Sequence, residues 1–377
     1  MESIYIISNG ISTLQREVLT TSSSKYEANL ALALSEFTNV KIFSSAVNSG
    51  FRTMNGSLEL IGTRSIRSGK GIKRVVNNAK ELYSAIKSSS HTNSIIIFWG
   101  YDSFAVIQML LIKLFLHIPV ISFIYDSHKP AISGLSFVKK GIINFRFQFG
   151  KLLSNLLSGY LFFQEDAAKE VMVVRKPFLV TKPGVSYNCN YHHTEKEKFI
   201  VSFSGTFSEL NGIDALLDSL EENYKECIEI NVCGYGPLLD QVMEADKKYE
   251  FFHYKGVLNE NELYELYNDS DLLLNLRRLD PEVMKYAFPS KVFEYIGTES
   301  PLLSTAVWDD KCFLENIYML SQVDGKTVTE YINYACENAA LGKKKAMKLK
   351  DYIEKKYNQR IVAYDIYQFL EKICEEQ

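Results

Sequence analysis

Short apolar strands alternate with helical stretches twice over in this chain, once on each side of a polar segment. That double alternation points to a pair of mainly parallel α/β layers. In the first half, Ser3–Ser8, Val40–Ser44, Ser94–Trp99 and Pro119–Tyr125 read as strands, with shorter ones at Leu161–Gln164 and Leu179–Thr181. Tyr26–Phe37 and Ala105–Leu116 carry apolar residues at helical spacing between them. Residues 188–198, NCNYHHTEKEK, are polar and unpatterned and read as a linker. The alternation then restarts, with strands at Phe199–Ser204, Cys227–Cys233, Phe251–Lys255, Leu272–Leu276 and Leu302–Ser304. Helices are predicted at Gly212–Leu220, Leu263–Asn268 and Ser290–Ile296, and a lysine-rich helical end over Glu330–Gln377. At 377 residues the chain is too long for one typical core and suits two. The expected domains are 1–187 and 199–360, joined by the 188–198 linker.

Several classes are excluded at this level. Phe104–Phe123 is the most apolar stretch, but Lys113, His117 and Pro119 interrupt it, so it reads as a buried helix and strand rather than a membrane span. MESIYIISNG is a strand and turn without the basic and apolar regions of a signal peptide. The cysteines (Cys189, Cys227, Cys233, Cys312, Cys336, Cys374) form no CxxC pair and read as small buried residues of a reducing cytosol, neither disulfides nor a zinc site. Charge is split. Up to residue 187 there are 21 Lys and Arg against 11 Asp and Glu, and beyond it 21 against 34. The first half is expected to face something anionic. The chain shows no nucleic-acid motif and its pI is near 6.1, so nucleic acid is not expected to be that partner.

The stretch KYAFPSKVFEYIGTESPLLST, residues 285–305, carries the most chemistry. Phe288-Pro289-Ser290 reads as a loop into a helix, and Pro289 fits a helix start. Lys291 and Ser290 at a helix N-terminus, with its free N–H groups, make an anion site. Glu294, one turn on, can accept hydrogen bonds from hydroxyls. A phosphate cradle beside a hydroxyl acceptor is what a nucleotide-sugar requires. The segment resembles the donor-site signature of glycosyltransferase family 4, and most of all its bacterial capsule, exopolysaccharide and O-antigen branch with FPSK…EY.

The resemblance implies a GT-B fold: two Rossmann-like domains facing a central cleft, with residues 361–377 as a helix crossing back to the first domain. It implies that Gly205, with Thr206 and Asn211, lies against the donor diphosphate, although the family places an arginine and a lysine where Thr206 and Asn211 stand. Arg278, Lys285 and Lys291 would then supply the positive charge. Of the family's paired glutamates, Glu294 matches the one that holds the ribose; the other falls on Tyr286, with Glu282 a turn upstream. Phe288 and Pro289 complete the donor loop. Gly234 and Tyr235 resemble the family's G-x-G-P turn, and Tyr254, Gly256, Val257 and Leu258 the segment that packs on the nucleobase. Gly10 resembles the first glycine loop, and Asp126 with His128 the acceptor-side loop at a strand's carboxyl end. Glu165-Asp166 and Pro183-Gly184-Val185 take hinge and packing roles. No bound metal or other cofactor is implied.

From Ser127 to Gln164 there is no acidic residue. Lys129, Lys139, Lys140, Arg146 and Lys151 are interleaved with Phe137, Ile142, Phe145, Phe147, Phe149 and several leucines. Such a segment suits an interfacial helix, and a core helix with solvated lysines is the competing reading. A second basic run covers Arg64, Arg67, Lys70, Lys73 and Arg74. The combined expectation is a retaining glycosyltransferase with a UDP-sugar donor and a lipid-linked saccharide acceptor. It would be cytoplasmic and held peripherally on the anionic inner face of the cell membrane. A catalytically silent GT-B subunit that binds a partner or glycan, or a nucleotide-sugar epimerase, are the alternatives.

Overall fold

The computed structural model of the protein describes residues 1–14, 22–63, 72–89, 93–126, 136–185, 197–286, 288 and 290–376. It divides into two units. Unit 1 comprises residues 1–184, 281–288 and 359–377, and unit 2 residues 185–280 and 289–358.

Unit 1 is built on the strands β1 (Ser3–Ser8), β2 (Asn39–Ser44), β3 (Arg52–Asn55), β4 (Leu58–Gly62), β5 (Ser94–Trp99), β6 (Val120–Ile124), β7 (Gly159–Phe162) and β8 (Phe178–Val180). They form one sheet in the order β3-β4-β2-β1-β5-β6-β7-β8. All neighbours are parallel except β3 and β4. Central β1 and β5 are buried along their whole length, which is why both read as unbroken apolar runs rather than alternating ones. The β3–β4 hairpin was not legible as strands, because β3 is mostly exposed and polar. Its signal is Asn55-Gly56, a hairpin dipeptide, with Gly56 at a φ of +59°. The helices are α1 (Ser22–Leu34), α2 (Ile72–Lys87), α3 (Ser103–Leu116), α4 (Phe137–Ser154) and α5 (Glu165–Val171), joined by the late segments α9 (Pro281–Met284) and α14 (Gln359–Glu375). Helix α14 lies on α1: Phe37 meets the rings of Tyr364 and Tyr367 at 5.4 and 5.8 Å, Arg360 pairs with Glu36, and Gln359 donates to the Asn29 carbonyl.

Unit 2 carries β9 (Phe199–Thr206), β10 (Ile228–Tyr235), β11 (Phe252–Tyr254), β12 (Leu272–Asn275), β13 (Leu302–Ser304) and β14 (Tyr318–Met319), all parallel, in the order β11-β10-β9-β12-β13-β14. Its helices are α6 (Ile213–Ser219), α7 (Leu239–Lys248), α8 (Glu260–Asn268), α10 (Ser290–Gly297), α11 (Lys311–Glu315), α12 (Gly325–Glu337) and α13 (Ala339–Tyr357). The core joins Val201, Phe203, Ile230, Val232, Leu272 and Leu274 of the strands to Ile213 and Leu216 of α6 and Val328 and Ile332 of α12.

The cysteine reading needs correction. Among the described cysteines only Cys233 is buried; Cys227 is exposed, and Cys312, Cys336 and Cys374 are partly exposed. No helix of the described residues is long and apolar enough to cross a membrane, and Phe104–Phe123 resolves into α3 and β6.

Candidate functional site

At the carboxyl ends of β9 and β10 the backbones approach closely. Gly205 and Gly234 are register partners, and a Cβ on Gly234 would lie 1.9 Å from the Gly205 carbonyl oxygen. Gly234 also holds a φ of +136°, so position 234 accepts glycine alone. A Cβ on Gly205 would meet the Lys291 Nζ at 3.3 Å. The structure therefore brings Lys291, in the first turn of α10, onto Gly205, the second-last residue of β9. Ser290 begins α10, and Glu294 sits one turn beyond Lys291, half-buried.

Beneath the lysine lies a hydroxyl network that sequence reasoning missed. Lys291 Nζ donates to Ser204 Oγ at 3.3 Å, and Ser204 Oγ shares hydrogen bonds with the hydroxyls of Tyr267 (2.6 Å) and Tyr295 (2.9 Å). Both tyrosines are buried, their rings edge to face at 4.9 Å, and burial raises the pKa of both. Burial also pushes the Cys233 thiol up to about 11, against the nearby Lys291 ammonium, which pulls the other way. The site thus pairs one cation with neutral hydroxyls. The available signal was Ser204 itself, the residue just before the glycine.

Around this centre, Thr206 and Tyr235 are exposed at the ends of β9 and β10. Asn211 Nδ2 donates to the Thr206 carbonyl (3.0 Å) and to Ser208 Oγ (3.2 Å), so it braces the loop. Tyr254 donates to the Gly234 carbonyl at 3.0 Å and packs edge-on to Phe207, a supporting role for the glycine turn. Gly256 has open space at its Cβ, Val257 is exposed and Leu258 half-buried. Arg278 forms a bidentate pair with Asp214, both bonds at 2.7 Å, and donates to the carbonyls of Glu209 and Val323. Through these bonds Arg278 ties the β12 exit to α6.

Tyr286 and Lys285 both fall in unit 1. Tyr286 is only 1% exposed and belongs to the core of unit 1, stacked on Tyr101 at 6.4 Å. Burial first, then hydrogen bonding with Tyr101 and Glu170, raises its pKa well above the phenol range. Lys285 pairs with Glu282 at 2.6 Å and Glu170 at 3.7 Å, all within unit 1. Phe288 is buried there too, under the Lys182 ammonium at 5.1 Å. Lys182 donates to the Phe163 carbonyl and Gln164 Oε1, and burial pushes its pKa down to about 8. Replacing Tyr286 with alanine should cost unit 1 about 3–5 kcal/mol, as for other large buried side chains. A denaturant midpoint unchanged from the parent would contradict this placement.

His128 and Pro289 lie outside the described residues. Asp126 is exposed after β6, and the Gly10 N–H bonds to Ser8 Oγ at 3.1 Å. Beside them stands a buried carboxylate that sequence reasoning passed over: Glu27 accepts from Ser8, Ser23 and Tyr125. It fastens the loop after β1 to the end of β6. A cavity of about 750 Å³ opens at the amino ends of β5 and β6, lined by Lys113, His117 and Leu156, and no candidate residue lines it.

Helix α4 carries two apolar faces. Phe147 and Leu153 pack on the core of unit 1. Val138, Ile142, Phe145, Phe149 and Leu152, followed by Leu156, recur at steps of three and four on the outer face, and all are exposed, Phe145 by 69%. Lys139 is exposed, and Lys140 and Lys151 are half-buried. Arg146 points the other way, pairing with Asp102 at 2.7 Å over the Phe104 ring. The core-helix reading of Ile142–Leu157 thus holds for one face only. Arg64, Arg67, Lys70 and Lys129 lie outside the described residues, and the side chains of Lys73 and Arg74 are not described.

No family model matches the chain, and no curated protein matches it. Solved structures do. Sucrose-phosphate synthase (tll1590) from Thermosynechococcus elongatus is similar at a TM-score of 0.74 over 100% of both chains, with 11% identity. α,α-Trehalose 6-phosphate synthase from Burkholderia multivorans reaches 0.72 over 100% of both, with 9% identity. Anabaena Alr3699/HepE in complex with UDP reaches 0.66 over 99% of this chain and 100% of that one, with 11% identity. The chain has the GT-B fold. In GT-B terms, units 1 and 2 are its first and second Rossmann-like domains, and the Gly205–Lys291 pair lies at strand carboxyl ends in the second.

Proposed function

We propose that this GT-B chain is a retaining glycosyltransferase that binds a nucleotide-sugar, most simply a UDP-sugar, in unit 2. One observation carries the reading: the Lys291 ammonium held against Gly205, at the start of a helix and beside the glycine turn of β10. That is a cation, open backbone and a helix N-terminus converging where a diphosphate needs all three. The solved complexes of HepE with UDP and with UDP-glucose support the choice of nucleotide. Negative charge builds on the diphosphate as the sugar leaves, and Lys291 with the α10 N–H groups lowers its energy. Glu294 takes the ribose hydroxyls. The acceptor, a lipid-linked saccharide of a surface polysaccharide such as a capsule or O-antigen, docks on unit 1. The exposed stripe of α4 with Lys139, Lys140 and Lys151 seats the protein on an anionic inner membrane surface.

A silent GT-B subunit is the second reading, favoured by Thr206 and Asn211 standing where the family resemblance calls for two cations. Calorimetric titration with UDP separates the possibilities. The parent protein should bind UDP, and Glu294→Ala should bind it about tenfold or more weakly, through loss of hydrogen bonds to a charged acceptor. If the parent takes up no UDP, the donor assignment fails. UDP binding without hydrolysis or transfer of any UDP-sugar identifies the silent subunit.

A further inference from the structure

Cys227 and Cys336 are 109 positions apart in sequence, yet their sulfurs lie 3.6 Å from each other in unit 2. Cys227 directly precedes β10, and Cys336 sits in the last turn of α12. Their neighbours already hold these two segments together. Lys225 Nζ pairs with Glu337 at 2.6 Å, the Lys225 N–H donates to Asn333 Oδ1 at 3.2 Å, and Asn333 Nδ2 donates to the Asn223 carbonyl at 3.0 Å. The loop before β10 is thus pinned to α12 on both sides of Cys336, which limits the movement needed for a covalent bond. Cys227 is exposed and Cys336 partly so.

We propose that Cys227 and Cys336 are a thiol modification site that closes to a reversible disulfide when unit 2 meets a peroxide. The exposed Cys227 thiolate attacks one peroxide oxygen, giving a sulfenic acid and releasing hydroxide. The Cys336 sulfur then attacks the Cys227 sulfur, water leaves, and the disulfide closes. Two thiols lose two electrons and two protons, and the peroxide is reduced to two waters. Cys336 is the less exposed of the two and takes the resolving role. The bond would staple the entry of β10, whose far end is the Gly234 turn, to α12, the helix that closes the core of unit 2.

The experiment uses the full chain, first reduced, then given one equivalent of hydrogen peroxide and alkylated before peptide mapping. The expected product is a peptide pair joined at Cys227–Cys336, two hydrogens lighter than its parts and absent after dithiothreitol. The oxidised protein should unfold about 5 °C or more higher than the reduced one, and Cys227→Ser or Cys336→Ser should erase that difference. Cys227 is exposed, so its serine variant keeps the fold and serves as the control. The proposal is overturned if both cysteines are alkylated after peroxide treatment, or if either is linked to a different cysteine instead.

Discussion

Lys291→Ala is expected to abolish sugar transfer while leaving the protein folded. The lysine supplies the only cation that the structure sets against the β9–β10 glycines among the described residues, because Arg278 is committed to Asp214 and Lys285 to the acids of unit 1. Losing a charge-assisted contact costs about 1.5–3 kcal/mol in binding, and losing a preorganised donor to the departing charge costs a further ~10²–10³ in rate. Folding should survive, since Ser204 keeps its bonds to Tyr267 and Tyr295 when the ammonium is gone. Lys291→Arg keeps the charge but replaces a compact ammonium with a longer, planar guanidinium, and should recover binding more than turnover. Steady-state kinetics at saturating UDP-sugar, with circular dichroism as the fold control, gives the answer. Turnover within tenfold of the parent would remove Lys291 from the mechanism.

The second large effect concerns the outer face of α4. The parent protein should sediment with liposomes containing anionic lipid, and Phe145→Glu with Phe149→Glu should leave it in the supernatant. These two rings stack on each other at 6.1 Å on an exposed face, so carboxylates there cost the fold little. On a membrane they would lose apolar burial and add repulsion from the lipid. Changing Lys139, Lys140 and Lys151 to glutamate should act through charge alone. At ~1 kcal/mol per lysine, about a hundredfold in partitioning is at stake, and it should fade as salt shortens the reach of charge to about 8 Å. Arg146 is left out of this set because it neutralises Asp102 on the inward side. A parent protein that ignores anionic liposomes at low salt rules out the membrane role.

What could be read in advance was local. The Gly205 and Gly234 turns and the Lys291–Glu294 helix are each coded within a few residues, by a glycine after an apolar strand or a helix start with a charge beside it. Their assembly follows once the strands pair, because parallel β/α units bring strand ends to one rim. What could not be read was membership. Tyr286 lies two residues before Phe288 in the same motif as Lys291, yet its ring is buried in the core of unit 1, and no local pattern marks that destination. The partner of Arg278 was hidden for a related reason: Asp214, which holds it, lies 64 positions earlier. The hydroxyl network under Lys291 was hidden because Tyr267 and Tyr295 sit in helices α8 and α10, where a tyrosine reads as ordinary packing. The β3–β4 hairpin was missed through an unread turn dipeptide.

The assignment of residues 281–288 and 359–377 to unit 1 has a practical consequence for anyone who would transplant pieces of this protein. The polypeptide changes allegiance at 184/185, 280/281, 288/289 and 358/359, so no single cut releases either half whole. A gene fragment stopping at residue 187 would encode every strand of the first sheet and still leave a vacancy where the Tyr286 ring belongs and an uncovered Phe37 where α14 should lie. A chimera that borrowed everything after residue 187 from a relative would import a foreign plug into that vacancy, eight residues upstream of Glu294. Specificity swaps in this chain therefore have to exchange the tyrosine together with the Tyr101 and Glu170 that receive it, or leave all three untouched.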